Sequence, residues 1–133
     1  IRMKALCNNA LTLAKALEEL AGITVNYPGL ESSPYKPLVD EQFGGLGGAI
    51  LTIRAGSREK AFKLINSLKY AHIATNIGDL RTLVIHPSST IYLHSTKEEQ
   101  EHAGVYEDTI RISVGIEDVE DLIADFTQAI ENI

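Results

Sequence analysis

Arg111 has the setting in this sequence that best suits recognition chemistry. It interrupts the run Thr109-Ile110-Arg111-Ile112-Ser113-Val114, where apolar and polar residues alternate. A strand over 109–114 therefore projects Ile110, Ile112 and Val114 from one face and Arg111 from the other, beside Thr109 and Ser113. Those hydroxyls can assist binding but cannot neutralise a guanidinium. A planar fork of donors held on a rigid strand suits bidentate capture of a carboxylate or phosphate. Periodicity leaves a second reading open, a structural ion pair to one of the 18 acidic residues. Asn76, with Gly78 and Asp79, forms a polar turn after a strand and is the second candidate. Its alternative is a turn selected only for backbone shape.

Other chemically suggestive residues have plainer explanations. Lys69, in Ser67-Leu68-Lys69-Tyr70, resembles a Schiff-base lysine segment, yet it falls at the end of an amphipathic helix, where a cation suits the dipole. His72, His86, His94 and His102 lack the close pairing of metal ligands, so no metal is expected. Cys7 lies inside a helix without charged groups to activate it, and packing is its expected role. The run Gly44-Gly45-Leu46-Gly47-Gly48 precedes a strand. Phosphate loops usually lead into a helix N-terminus instead, so the run reads as a flexible turn.

The elements that must position Arg111 follow from hydrophobic periodicity. Leu6, Ala10, Leu13, Leu17 and Leu20 predict an amphipathic helix over 3–21, closed by Gly22. Residues 23–27 read as a short strand ending at Pro28-Gly29, and Pro34 opens a short helix to about Phe43. Residues 49–55 alternate as a strand. Ser57 caps a helix over 58–69 whose inward stripe is Ala61, Phe62, Ile65 and Leu68. Short strands are expected at 72–75 and 83–85. Thr96 begins a helix to Ala103 with Glu99 as its capping-box partner, and Gly104 ends it. After the 109–114 strand, Asp118 caps a helix carrying Val119, Leu122, Ile123, Phe126 and Ile130 on one stripe. Glu117, Asp118, Glu120 and Asp121 crowd its N-terminal end, where the dipole favours them. Several connections are too short for parallel crossovers. The expected fold is therefore α+β: a small, mostly antiparallel sheet of four or five strands with helices on one face.

Composition bounds the function classes. The chain has 133 residues, 44% hydrophobic and 23% charged, with a formal charge of −6 and a pI near 5.1. That length suits one domain, 1–133, burying roughly two-thirds of its unfolded surface. The acidic balance argues against nucleic acid as the main partner. No stretch approaches the ~18 apolar residues of a membrane span, and no signal peptide opens the chain. One cysteine and no disulfide make the cytoplasm the expected compartment. The chain opens Ile1-Arg2-Met3-Lys4, without an initiator methionine, as a piece of a longer polypeptide does.

Two segments carry a further signal. The stretch Ala74-Thr75-Asn76-Ile77-Gly78-Asp79-Leu80-Arg81-Thr82-Leu83-Val84-Ile85-His86-Pro87-Ser88-Ser89-Thr90 resembles the C-terminal domain of the Cys/Met-metabolism family of pyridoxal-phosphate enzymes. So do Ala103-Gly104-Val105 and the run from Ile110 to Ile123 that contains Arg111-Ile112-Ser113-Val114-Gly115-Ile116-Glu117-Asp118. The resemblance extends over essentially the whole chain, including Val25-Asn26-Tyr27-Pro28-Gly29-Leu30. The family includes cystathionine γ-synthase, cystathionine γ-lyase, methionine γ-lyase and O-acetylhomoserine sulfhydrylase. Asn76-Ile77-Gly78-Asp79, where lyases and γ-synthases usually carry serine first, resembles the sulfhydrylase branch, as does His86-Pro87-Ser88-Ser89-Thr90.

The resemblance implies a small C-terminal domain of the aspartate-aminotransferase type. Its function would be that of an O-acetylhomoserine sulfhydrylase, which makes homocysteine or methionine from O-acetylhomoserine and sulfide or methanethiol. It implies that Arg111 grips the α-carboxylate of an amino-acid substrate and that Asn76 helps orient it. It also implies that pyridoxal 5'-phosphate is bound by a large domain absent from this chain, so that the chain alone contains no catalytic residue and is inactive. The implied partners are that large domain and further copies in a dimer or tetramer. Many lyases have threonine and histidine where this chain has Ile91 and Tyr92. A γ-lyase or γ-synthase domain, an autonomous amino-acid-binding regulatory module and a dimerisation module are the competing readings.

Overall fold

The computed structural model describes residues 1–133. Its elements run α1 (Arg2–Glu18), β1 (Thr24–Asn26), α2 (Lys36–Phe43), β2 (Ile50–Arg54), α3 (Arg58–Ser67), β3 (His72–Ile73), β4 (Leu83–Ile85), a 3-10 turn (Pro87–Ser89), α4 (Lys97–His102), β5 (Thr109–Ser113) and α5 (Val119–Glu131). The strands form one sheet in the order β1-β2-β5-β4-β3. All neighbours are antiparallel except β3 and β4. This is the α+β architecture that the alternation patterns predict, and β5, the strand carrying Arg111, occupies its centre.

The parallel β3–β4 pair is joined by residues 74–82 alone. Parallel strands normally need a longer crossover. Here the chain has only the length of a two-residue strand to retrace, so a loop suffices. That loop contains Asn76 and Gly78 and passes over the sheet face from which Arg111 projects.

The opposite face holds the core. Leu13, Leu17, Leu64, Leu122 and Phe126 from α1, α3 and α5 pack on Leu51, Ile53, Ile110 and Ile112. Full burial of each such side chain is worth about 1.5–3 kcal/mol, and this fixes which face of β5 points inward. Arg111 has no choice but the other side.

Local chemistry accounts for the element ends. The Ser57 hydroxyl accepts from the Lys60 amide, 3.2 Å away. Thr96 and Glu99 form a reciprocal capping box, and the Asp118 carboxylate accepts from the Glu120 amide at 2.9 Å. Gly44 takes the left-handed conformation, φ 59°, that closes α2.

Several expectations need correction. In α3 the buried residues are Ala61, Leu64 and Ile65; Phe62 lies half-exposed, its ring 4.7 Å from that of His86. The helix ends at Ser67, so Lys69 lies beyond it, and α1 ends at Glu18 rather than at Gly22. The sheet accounts for Phe62: the Arg111 face also receives residues 86–108, and Phe62 packs at that margin instead of in the core. Pro37, not Pro34, occupies the first turn of α2.

Candidate functional site

Sheet register sets the surroundings of Arg111. Asn26 on β1 pairs with Thr52 on β2, and Thr52 pairs with Arg111; on the other side Arg111 pairs with Ile85 on β4. These residues form one row across the outer face. The Asn26 amide donates to the Thr52 hydroxyl at 3.4 Å. Above the row stand the 3-10 turn and the segment leading to β5. Together they bound an open pocket of about 300 Å³ lined by Asn26, Thr52 and Arg111 below and by Pro87, Ile91, Tyr92 and Val105 among others.

The guanidinium is fixed from the far side. Arg111 Nη2 donates to the carbonyl oxygens of Thr75 at 2.8 Å and Asn76 at 3.1 Å. Both belong to the 74–82 loop. No carboxylate of the chain forms an ion pair with Arg111. Its Nε is the one buried side-chain nitrogen or oxygen without a hydrogen-bond partner, and burial lowers the affinity of the group for its proton relative to a free arginine. Arginine is effectively always protonated at neutral pH, so the group stays cationic. The result is a partly desolvated positive charge, oriented by two neutral carbonyls and not neutralised by any acid. Such a group can receive an anion.

The structure brings Asn76 and Arg111 together, but through the Asn76 backbone carbonyl; the Asn76 residue itself is exposed. Thr109 and Ser113 are not open hydroxyls beside the guanidinium. Both are buried, and both hydroxyls accept from backbone amides, Thr109 from Tyr106 at 3.0 Å and Ser113 from Gly78 at 3.1 Å. The Thr75 carbonyl, Thr52 and Asn26 escape sequence reasoning. They reach Arg111 only through strand register and a loop contact, and no local pattern encodes either.

The other candidates resolve structurally. Lys69 is exposed, while its backbone amide and that of Tyr70 donate to the buried Asp125 carboxylate at 2.9 Å each. His86 Nδ1 accepts from the Ser89 amide at 3.3 Å, and Nε2 lies 2.8 Å from the Glu107 carbonyl; the pair defines the tautomer with hydrogen on Nε2. Gly47 and Gly48 line an apolar groove with Met3, Cys7, Val39 and Phe43, a poor place for phosphate. There the Tyr27 hydroxyl donates to the Gly48 carbonyl at 2.9 Å. Cys7 is buried.

Comparison with known proteins adds independent information. Residues 1–131 match the model of the family described as Cys/Met metabolism PLP-dependent enzyme. The homocysteine synthase of Schizosaccharomyces pombe is 44% identical over 133 residues, covering 98% of this chain and 31% of that protein. An L-methionine gamma-lyase of Fusobacterium nucleatum is 40% identical, covering 100% of this chain and 34% of that protein. Among solved structures, an O-acetylhomoserine (thiol)-lyase assigned in Campylobacter jejuni superposes with a TM-score of 0.93 at 36% identity, covering 98% of this chain and 31% of that one; it carries N'-pyridoxyl-lysine-5'-monophosphate. The O-acetylhomoserine sulfhydrylase of Wolinella succinogenes gives a TM-score of 0.83 at 33% identity, covering 97% of this chain and 34% of that one. The chain thus spans about a third of the length of the relatives it matches.

Proposed function

The chain belongs to the family of Cys/Met-metabolism PLP-dependent enzymes, and from that premise we propose that it is the C-terminal, carboxylate-gripping domain of an O-acetylhomoserine sulfhydrylase. The reaction would join O-acetylhomoserine to sulfide or methanethiol, giving homocysteine or methionine and acetate. Arg111 holds the α-carboxylate of the substrate. Asn76 contributes the carbonyl that turns the guanidinium to meet it. The observation that carries this reading is the unneutralised, partly buried Arg111, with an orphan Nε–H and no acid in reach. Fixing the carboxylate fixes the orientation of the rest of the amino acid, which decides which bond at its α-carbon is aligned for cleavage.

Pyridoxal phosphate supplies an electron sink for carbanion chemistry at that carbon. The residues present here do not assemble a site for it. Lys69 is exposed and its amide is committed to Asp125, and no lysine lines the cavity beside Arg111. We therefore assign the cofactor to a large domain elsewhere in the full-length polypeptide, and all chemistry to the union of the two parts. In this reading the chain alone is inactive. The full-length enzyme would work as a homo-oligomer in the cytoplasm; no helix of this chain is long and apolar enough to cross a membrane.

A γ-lyase is the second reading, favoured by the 40% identity to a protein named L-methionine gamma-lyase. Assaying the full-length enzyme with O-acetylhomoserine plus sulfide, and separately with methionine, decides between them. Homocysteine formation exceeding methionine breakdown at least tenfold supports the sulfhydrylase; the reverse ratio overturns it.

A further inference from the structure

Ser113 follows Arg111 by two residues on β5, so both side chains leave the same face. The Ser113 residue is fully buried, and its hydroxyl accepts the Gly78 amide at 3.1 Å. Gly78 sits at φ 72°, in the turn whose Thr75 and Asn76 carbonyls hold Arg111 Nη2. Between residues 75 and 79 the backbone is tied down by three side chains: Arg111 itself, Ser113, and Arg2, whose Nη2 donates to the Gly78 carbonyl at 2.7 Å. Beyond the turn, Leu80 accepts from the Ile116 amide at 2.8 Å, and Thr82 is held by Glu117 through the Thr82 amide and hydroxyl, at 2.5 and 2.9 Å. The far end of the loop is thus anchored independently, and Ser113 is the buried tie on the part that touches Arg111.

We propose that Ser113 is a positioning residue for carboxylate recognition: its hydroxyl fixes the 75–78 turn, and the two carbonyls of that turn fix the direction of the Arg111 fork. The proposal rests on the reading of Arg111 as a carboxylate clamp. An arginine side chain has several rotatable bonds, and ordering it only when ligand arrives weakens binding. A site whose competent arrangement is populated a fraction f of the time binds with its dissociation constant raised by 1/f. Gly78 is exposed, so water can take over its amide when the hydroxyl is removed. The fold then survives and the turn loses its register.

The test is made in the full-length enzyme with O-acetylhomoserine. Ser113→Ala is expected to raise KM about fivefold, the worth of one ordinary hydrogen bond, with kcat within twofold. Hydrogen exchange in the 74–82 segment should accelerate. In the Arg111→Lys background the same change should raise KM less than twofold, because its effect passes through the guanidinium. Gly78→Ala, whose Cβ would meet no atom within 4 Å, perturbs the same turn through its positive φ and should reproduce the KM-only effect if Ser113→Ala does not fold. An unchanged KM in Ser113→Ala, or equal factors in both backgrounds, overturns the positioning role. If Arg111→Lys alone leaves KM unchanged, the clamp reading itself fails; if it raises KM while both turn variants do not, only the positioning role fails.

Discussion

Arg111→Lys keeps the charge and removes the fork, so it isolates the geometric part of recognition. In the structure Nη2 is already shared between the Thr75 and Asn76 carbonyls at 2.8 and 3.1 Å, which leaves the other guanidinium N–H groups for a ligand. A lysine ammonium is a single point of donation on a flexible stem. It must abandon either the two carbonyls or one oxygen of the carboxylate. Losing one hydrogen bond to a charged group costs about 1.5–3 kcal/mol, which corresponds to roughly a 10- to 150-fold rise in KM for the amino-acid substrate. Global stability should change little, because Arg111 forms no ion pair and its carbonyl partners lie in a largely exposed turn that water can solvate. The assay is steady-state kinetics of the full-length enzyme with O-acetylhomoserine and sulfide, alongside a melting curve. A KM within twofold of the unaltered enzyme refutes the carboxylate role. A melting temperature lowered by more than a few degrees would instead make Arg111 a structural residue.

The remaining predictions concern the frame. Gly115→Ala should be severely destabilising, by about 3 kcal/mol or more, since the new Cβ would lie 2.4 Å from the Leu80 carbonyl oxygen and 2.6 Å from the Arg81 carbonyl carbon; a denaturant midpoint close to that of the unaltered chain contradicts it. Asp125→Ala removes the buried carboxylate that accepts from the Lys69 and Tyr70 amides, and chemical denaturation should record a loss of about 1.5–3 kcal/mol. Leu64→Ala should cost about 2–5 kcal/mol and Phe62→Ala clearly less, because Leu64 is fully buried and Phe62 is half-exposed; the opposite order would restore the helix face expected from periodicity. Burial, then the neighbouring Cys7, pushes the Tyr27 hydroxyl from its ordinary value of 10.0 to about 12. The unfolded chain therefore releases this proton first, and the stability contributed is complete below pH 10 and falls as the pH rises toward 12. Tyr27→Phe should flatten that alkaline fall, read from unfolding free energy against pH.

Legibility differed between parts of the molecule for identifiable reasons. The 109–114 strand and the helix after Asp118 are plain in the sequence, because alternation and a three-to-four-residue stripe are local periodicities that core burial enforces. The capping box at Thr96 is equally local. The buried face of α3 was not legible: Phe62 and Leu64 are both apolar and flank the Ala61 and Ile65 stripe on opposite sides, and only the tertiary packing, with Phe62 beside His86, selects Leu64 for the core. The helix expected over 58–69 runs two residues past the observed end at Ser67, beyond which the distant Asp125 captures the Lys69 and Tyr70 amides. The serine and threonine flanking Arg111 look like open hydroxyls in a strand pattern, but both are buried: Ser113 accepts from the Gly78 amide of the 74–82 loop, and Thr109 from the Tyr106 amide just before the strand.

By itself, the sequence determined that a guanidinium leaves a strand opposite its apolar face, because an alternating pattern permits no other arrangement once Ile110 and Ile112 are buried. The motifs around it determined kinship. Tertiary structure alone decided what Arg111 meets: two carbonyls from a loop some 35 residues earlier in the chain, at separations |i−j| of 36 and 35, a row running through Thr52 to Asn26, and no carboxylate. Ion pairing depends on where side chains from remote segments end in space. With 18 acids in the chain, no pattern of neighbours along the sequence could foretell that every one of them would be elsewhere.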